Sequence, residues 1–206
     1  MTKKQQTVKY LSILLTFLTA TTMGAKAKIV PDFFHLQFAG DIGMISAGAG
    51  YQTSSKKTHV SFLMGFVPKT YIDFENNLVT LNIAATYQPL MLYFRDVKMA
   101  FKPLILGSGI SVSLGETYQR YNTPNYPKGY YWWPTNSRII VTVGQSISVF
   151  QPSRTISQID LYSQLATNDL ALYSYSVNTI VKMRHIFHFS FGAKIFIDFP
   201  KTHKIT

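Results

Sequence analysis

Near the carboxyl end of the chain, apolar and polar side chains alternate, so that every second residue is apolar. Within residues 185–199, the register from Phe187 to Phe199 is apolar, and the register from His188 to Asp198 is polar or small apart from Phe196. Successive side chains of a β-strand point to opposite faces, so this segment predicts a strand with one apolar face and one polar face. Such a strand suits the wall of a transmembrane barrel, with lipid outside and a polar interior. The apolar register holds Phe187, Phe189, Phe191, Ala193, Ile195, Ile197 and Phe199, and the polar one His188, Ser190, Gly192, Lys194 and Asp198.

The same strand carries a recognisable spacing, Ser190-x-Gly192-x-x-Ile195-x-Ile197-x-Phe199. It resembles the carboxyl-terminal assembly signal of bacterial outer-membrane barrels, which ends in an aromatic residue at or near the chain end. Here seven residues follow Phe199. The resemblance implies an outer-membrane location and insertion by the barrel assembly machinery, and it leaves the activity open.

The amino-terminal segment has the features of a secretory signal. Residues 1–27 contain three early lysines, a short apolar stretch at 10–20 and a small-x-small site at 25–27. We therefore expect a signal peptide over 1–27 and a barrel domain over 28–206, with an uncleaved anchor as the alternative. No later run of about 18 apolar residues predicts a membrane helix.

Composition agrees with an exported barrel. Charged residues make up 14% of the chain, whereas soluble domains average about 25%. Four of the 20 basic residues lie in the signal, which leaves 16 basic and 9 acidic residues and a net charge of about +7. Because these basic residues are dispersed, we expect anionic lipopolysaccharide as the partner and no nucleic acid. The chain has no cysteine, so no disulfide supports the fold.

Period-2 alternation recurs along the chain and predicts an all-β fold, an antiparallel transmembrane barrel of eight strands. Pro103 lies within one segment and predicts a bulge, because proline cannot donate to the ladder. The segments are 33–40, 43–52, 58–67, 78–89, 97–109, 138–149, 157–166 and the carboxyl-terminal strand.

The connections alternate in length. Those at 53–57, 90–96 and 150–156 are short, and those at 68–77, 110–137 and 167–184 are longer, apart from a tight turn at 40–42. Short periplasmic turns and long extracellular loops are usual in these barrels. Alternatively, 34–52 forms one long strand, and 170–177 is then the candidate for the further strand that is needed. A barrel of ten strands is also possible.

The longest loop predicts a contact surface. Aromatic rings interleaved with cations at 118–133 suit stacking on sugars or clamping of lipid headgroups. An aromatic girdle at the membrane boundary has the same composition and is the favoured interpretation. The residues are Tyr118, Arg120, Tyr121, Tyr126, Lys128, Tyr130, Tyr131, Trp132 and Trp133.

The inward register predicts a lumen filled by paired charges, because eight strands leave room only for side chains. A narrow conduit biased toward anions by its lysines and arginine is the alternative. The lumen candidates are Lys98, Lys102, Arg138, Asp160 and Lys194, with His35, Asp41, His59, Asn82, His188 and Asp198 also inward.

One pair could carry catalysis. His188 and Ser190 share a strand face, and a histidine can deprotonate a neighbouring serine when an acid orients it. The His-x-Ser pair resembles the lipid A 3-O-deacylases, which are also eight-stranded outer-membrane barrels. That family has a downstream Glu, and no Glu follows here. The run at 166–170 is similar to one in uncharacterised small outer-membrane barrels and implies no activity.

Three functions therefore remain open at this point. A structural or interaction barrel is favoured, a narrow pore or small-ligand channel is the first alternative, and a lipid A-modifying hydrolase is the second. We expect no cofactor and no metal, because the five histidines are scattered. We also expect a monomer.

Overall fold

Eight antiparallel strands close into a barrel in the computed structural model, which describes residues 30–71, 76–114, 136–153, 155–177, 180 and 182–198. Each strand pairs with its neighbour along the chain, and pairing of the first strand with the last closes the ring. The eight-stranded antiparallel barrel predicted from the alternation is confirmed. The strands are β1 Phe33–Ala39, β2 Ile45–Gln52, β3 Thr58–Val67, β4 Leu78–Tyr87, β5 Leu92–Phe94, β6 Met99–Leu114, β7 Ser137–Phe150, β8 Ile156–Asn168 and β9 His188–Ile197.

The ninth strand, β5, is a continuation of β4 and adds no strand to the ring. Tyr87 of β4 pairs with Leu106 of β6. Leu92 of β5, five residues after Tyr87, pairs with Phe101, five residues before Leu106. The two strands therefore share one register against β6, interrupted at 88–91. A 3₁₀ turn at Arg95–Val97 closes this long hairpin. The connection predicted as a short turn at 90–96 is thus the end of a hairpin.

The two ends of the barrel differ. At the lower end, where β1 begins and β9 finishes, the connections are the turn at 53–57, the hairpin end at 95–98 and residues 151–155. The upper end holds the turn at 40–44 and the longer connections at 68–77, 115–136 and 169–187. The alternation of short and long connections is therefore present, although β6 runs to Leu114 and shortens the longest loop from the predicted 110–137.

The ten-strand alternative is wrong. Ala39, Gly40 and Gly43 have positive φ angles of 59°, 86° and 135°, which reverse the chain between β1 and β2. Residues 34–52 are consequently two strands. The segment proposed as an extra strand is helix α1, Asp169–Val177, whose first turn is capped by Asn168: its side-chain oxygen accepts from the Ala171 N–H at 2.9 Å.

The predicted bulge lies where Pro103 interrupts β6. The register of β6 against β7 shifts between Lys102 and Ile105. The shift corrects one assignment, because Ile105 is inward and 4% exposed while Leu106 is outward and 45% exposed. Strict alternation from Met99 predicts the reverse, with Ile105 outward and Leu106 inward. A bulge adds one residue to one strand, so every residue after it changes face.

The polarity of the barrel is inverted relative to a soluble protein. Large apolar side chains cover its outside, and histidine, lysine, aspartate, serine and glutamine side chains are buried inside. Met64 is 60% exposed on the outer face of β3, while its neighbour Gly65 is buried. The outward set includes Phe34, Leu36, Phe38, Ile45, Phe62, Met64, Phe66, Leu81, Ile83, Ile110, Val141, Val143, Ile147, Leu161, Leu165, Phe189 and Phe191.

No helix within the described ranges is long and apolar enough to cross a membrane. The predicted signal peptide, residues 1–27, lies outside the described residues, so its cleavage stays a prediction.

Candidate functional site: the polar lumen

A buried ion pair crosses the lower half of the lumen. Lys102 of β6 donates to Asp160 Oδ2 of β8 at 2.6 Å, and both side chains are at most 2% exposed. The second oxygen of Asp160 accepts from Gln158 Nε2 at 2.6 Å. Each oxygen of this carboxylate is therefore hydrogen-bonded. Pairing and hydrogen bonds of this kind offset the free-energy cost of burying a charge.

A second buried lysine lies beside this pair and lacks a carboxylate of its own. Lys194 of β9 is opposite Asp160 in the strand register. Its Nζ donates to Thr86 Oγ1 at 3.1 Å, and it lies 5.5 Å from the Phe33 ring centroid and 5.8 Å from that of Tyr162. Among the described residues no carboxylate oxygen lies within 4.0 Å of it. Two lysines therefore share one aspartate in this layer.

A short hydrogen-bond chain fills the middle of the lumen. Tyr162 donates its hydroxyl proton to Gln37 Oε1 at 2.7 Å, and His35 Nε2 lies 2.7 Å from the same hydroxyl. Because the hydroxyl proton goes to Gln37, the hydroxyl accepts from His35, and His35 carries its proton on Nε2. Gln164 Nε2 also approaches Gln37 Oε1, at 3.4 Å.

Aromatic rings close the lower end. The Phe33 ring lies 5.0 Å from the Phe196 ring and 5.4 Å from His59, centroid to centroid, and His59 lies 5.5 Å from Phe196. Phe33 is 0%, His59 1% and Phe196 3% exposed. Phe196, the apolar exception in the polar register of β9, is therefore part of this inner cluster.

The β1–β2 turn closes part of the upper end. Ile42 is folded inward and packs with Leu63, Ile140 and Ala166. Its carbonyl oxygen accepts from the side chains of Ser46, Thr80 and Asn82. The turn is therefore tied to β2 and β4 from inside the barrel.

A small cavity remains between this apolar cluster and the polar layers. Its volume is about 40 Å³, and residues from both layers line it, among them Leu63, Ile105, Tyr162 and Lys194. A water site needs about 10–15 Å³ on this measure, so the cavity has room for a few waters at most. Beneath the cavity, the residues of the ion pair and of the aromatic cluster are buried, each at most 3% exposed.

The structure brings three of the five lumen candidates together, namely Lys102, Asp160 and Lys194. Arg138 faces inward opposite Ser111 near the upper end and donates to the Ser137 carbonyl at 2.7 Å. The assignment of Lys98 to the lumen is wrong. Lys98 is exposed and ends the 3₁₀ turn with φ 50° and ψ 45°, because the hairpin reverses there. Asp198 is likewise exposed, at the lower end.

The proposed catalytic pair lies at the upper end. His188 Nδ1 is 2.9 Å from Asp41 Oδ1, and Asn168 Nδ2 lies 3.3 Å from the same oxygen. Asp41 thus provides an acid beside His188, although no Glu follows the His188–Ser190 pair in the sequence. Ser190, however, is 0% exposed, and its Oγ has no hydrogen-bond partner among the described residues, His188 included. His188 and Asp41 are therefore in contact, whereas Ser190 forms no hydrogen bond with His188.

The aromatic contact set of the longest loop, Tyr118 to Trp133, lies outside the described residues. It stays a prediction. The part of the chain that is described contains no group of three or more His, Cys, Asp or Glu side chains that could hold a metal ion.

Several residues of the lumen were not predicted as its functional members. Phe33 and Phe196 form the lower closure, and Ile42 covers the upper part. Parity could have found Phe33, which shares a register with His35 and Gln37. No pattern in the sequence indicates that Ile42 turns inward, because that depends on the conformation of the turn.

Comparison with known proteins adds no relative. No protein family matches this chain, and no curated protein or solved structure is significantly similar to it.

Proposed function

We propose that this chain is a bacterial outer-membrane barrel with a lumen sealed by side chains and a structural or interaction role at the cell surface. The observation that carries the proposal is the inverted polarity of the closed barrel. In lipid, the exposed side chains of Phe62, Met64 and Leu161 carry no free-energy penalty. The ring of strands meanwhile encloses the buried Lys102–Asp160 pair. Eight strands leave an interior just wide enough to be filled by side chains or to hold one small ligand.

Electrophoresis of the purified protein before and after boiling tests the barrel, and planar-bilayer recording tests the seal. We expect a heat-dependent shift in mobility and no stepwise conductance. The matched positive control removes both closures of the lower half, Phe33→Ala and Phe196→Ala together with Lys102→Ser and Asp160→Ser. Provided that this variant keeps the heat-dependent shift, we expect it to leak ions. Stepwise conductance of the unaltered protein would contradict a sealed lumen.

The narrow-pore alternative needs the lower layer to open. Both Lys102 and Asp160 would have to move away from contact, and the aromatic cluster around Phe33 would have to separate. Separating a buried ion pair costs several kcal/mol, on the order of 3–5. The geometry therefore favours the closed barrel, and conductance recording distinguishes the two.

The upper end supplies the surface for the interaction role, and anionic lipopolysaccharide fits its described charges. Lys69, Lys182 and Arg184 are exposed there. Lysine and arginine bind phosphate through charge-assisted hydrogen bonds. Replacing Lys182 and Arg184 by glutamine should weaken binding of purified lipopolysaccharide severalfold, and the same change at Lys56 and Lys57, on the lower turn, should not. Equal effects of the two pairs would count against contact at the upper end.

A hydrolase acting on lipid A is the second candidate, favoured by the contact of Asp41 with His188. An acid on Nδ1 orients a histidine whose other nitrogen can take a proton from a serine. Ser190 would have to become accessible, since it is fully buried next to Gly40. Mass spectrometry of lipid A from cells with the unaltered protein and with Ser190→Ala tests this candidate. Identical lipid A in the two strains eliminates it.

A further inference from the structure

A polar side chain interrupts the apolar belt on the outside of the barrel. Gln145 of β7 is exposed, with Ile139, Val141 and Val143 above it on the same face and Ile147 and Val149 below. Among the described strand residues it is the only outward-facing amide. Its position places the carboxamide near the middle of the belt rather than at either edge.

The residue opposite Gln145 is also polar. Ser163 of β8 pairs with it directly in the register, so their side chains are neighbours on the outer surface. Neither side chain has a hydrogen-bond partner among the described residues. Both line a surface depression of about 320 Å³ whose other walls include Phe101, Leu161 and Phe191. A polar pair thus lies within an apolar hollow.

Acyl chains cannot satisfy this pair. The hydrocarbon core of a membrane offers no hydrogen-bond donor or acceptor, and an unsatisfied polar group there costs free energy. A single hydroxyl cannot satisfy both donors and the acceptor of a carboxamide, so Gln145 keeps unpaired groups even when it bonds to Ser163. A further partner at this depth has to come from another protein that spans the same membrane. Polar residues within a membrane are commonly explained by such contacts.

We propose that the surface around Gln145 and Ser163 binds a second copy of this chain, which makes the protein a dimer in the membrane. Two copies inserted in the same direction are related by a twofold axis along the membrane normal. That symmetry places the two Gln145 side chains at equal depth. A carboxamide is both donor and acceptor, so two of them pair reciprocally. The inference rests on the proposed membrane location, and it replaces the monomer expected from the sequence.

Cysteine crosslinking in native membranes tests the dimer. The chain has no cysteine, so each single-cysteine variant reports one position. With an oxidant, Gln145→Cys should give a band at twice the monomer mass. The matched control is Phe62→Cys on β3, which is 50% exposed and lies three strands from β7 and four from β8 around the ring. We expect little or no crosslinked dimer from that position.

A second variant tests the hydrogen bond. Gln145→Leu keeps an apolar side chain of similar length and should lower the dimer association constant in detergent about threefold to tenfold. Sedimentation equilibrium measures it. Crosslinking no stronger at position 145 than at 62, or a crosslink to a different protein, would overturn the proposal. If the heat-dependent shift persists, only the dimer fails. If that shift is also absent, the membrane barrel fails with it.

Discussion

At the scale of single residues, the arrangement of buried charges in the lumen determines which substitutions destabilise the barrel. Lys102 and Lys194 share Asp160, and none of the three reaches solvent. The aspartate therefore compensates more than one cation, and its loss should matter more than the loss of any neutral neighbour.

Replacing Asp160 by alanine should lower the free energy of unfolding by about 3–5 kcal/mol, because it leaves buried cations without a counter-charge. Urea titration of the folded, heat-sensitive form measures the change. The matched control is Ser148→Ala, whose hydroxyl is fully buried opposite Asp160 in the register and has no hydrogen-bond partner within the described ranges, so we expect a change below about 1 kcal/mol.

Removing both charges is expected to behave differently. The double variant Lys102→Met with Asp160→Leu replaces a buried pair by apolar side chains, which is often neutral or stabilising. Lys194 still lacks its counter-charge in this variant, so we expect the variant to recover only part of the stability lost in Asp160→Ala. A double variant as unstable as the single one would contradict a cost that arises from unpaired Lys102.

Parity along the strands predicted which side chains enter the lumen, and this held for Lys102, Asp160 and Lys194. It could not predict which of them are in contact, because contacts depend on strand order and register around the ring. The position of Lys98 was wrong for a local reason: a left-handed residue at the hairpin end breaks the alternation. The Asp41–His188 contact joins residues far apart in sequence, so no local pattern contains it.

At the scale of elements, the β1–β2 turn is the most constrained connection described. Gly43 has φ 135°, and a side chain there would lie 3.0 Å from the backbone of Gly65 and Phe66. Both the backbone angle and the space therefore require glycine. This turn also positions Ile42 over the lumen and Asp41 beside His188.

Gly43→Ala should consequently destabilise the barrel by about 1–3 kcal/mol through backbone strain and crowding. Ala39→Gly is the control within the same turn. Ala39 has φ 59°, a conformation that glycine adopts more readily, so this change should be neutral or slightly stabilising. Midpoints of urea unfolding give the comparison. Equal midpoints for the two variants would mean that the turn does not hold this conformation in the folded barrel.

Element boundaries were the less predictable part of the fold. The strands at 33–40, 58–67 and 138–149 were located within a few residues, since their alternation is unbroken. The face exchange after Pro103 was missed, although the bulge was predicted, because a sequence does not reveal where the extra residue is inserted. Helix α1 was taken for a possible strand, since its alternating tyrosines and serines mimic period two.

At the scale of the whole molecule, the barrel has one end with short connections and one with long connections. We expect the long-loop end to face the cell exterior. A cysteine at Thr70, on the 68–77 connection, should be labelled in intact cells by a membrane-impermeant maleimide. A cysteine at Ser55, in the turn at the lower end, should be labelled only after permeabilisation. The opposite pattern would reverse the orientation.

We infer that this barrel is inverted, with lipid outside and a polar lumen closed by side chains. Spin labels at successive positions 61–66 of β3, in lipid vesicles, test it most directly, because the chain has no native cysteine. We predict high collision with oxygen at 62, 64 and 66, and restricted access to oxygen and to a water-soluble relaxant at 61, 63 and 65. Strong collision of positions 62 and 64 with the water-soluble relaxant would contradict the account.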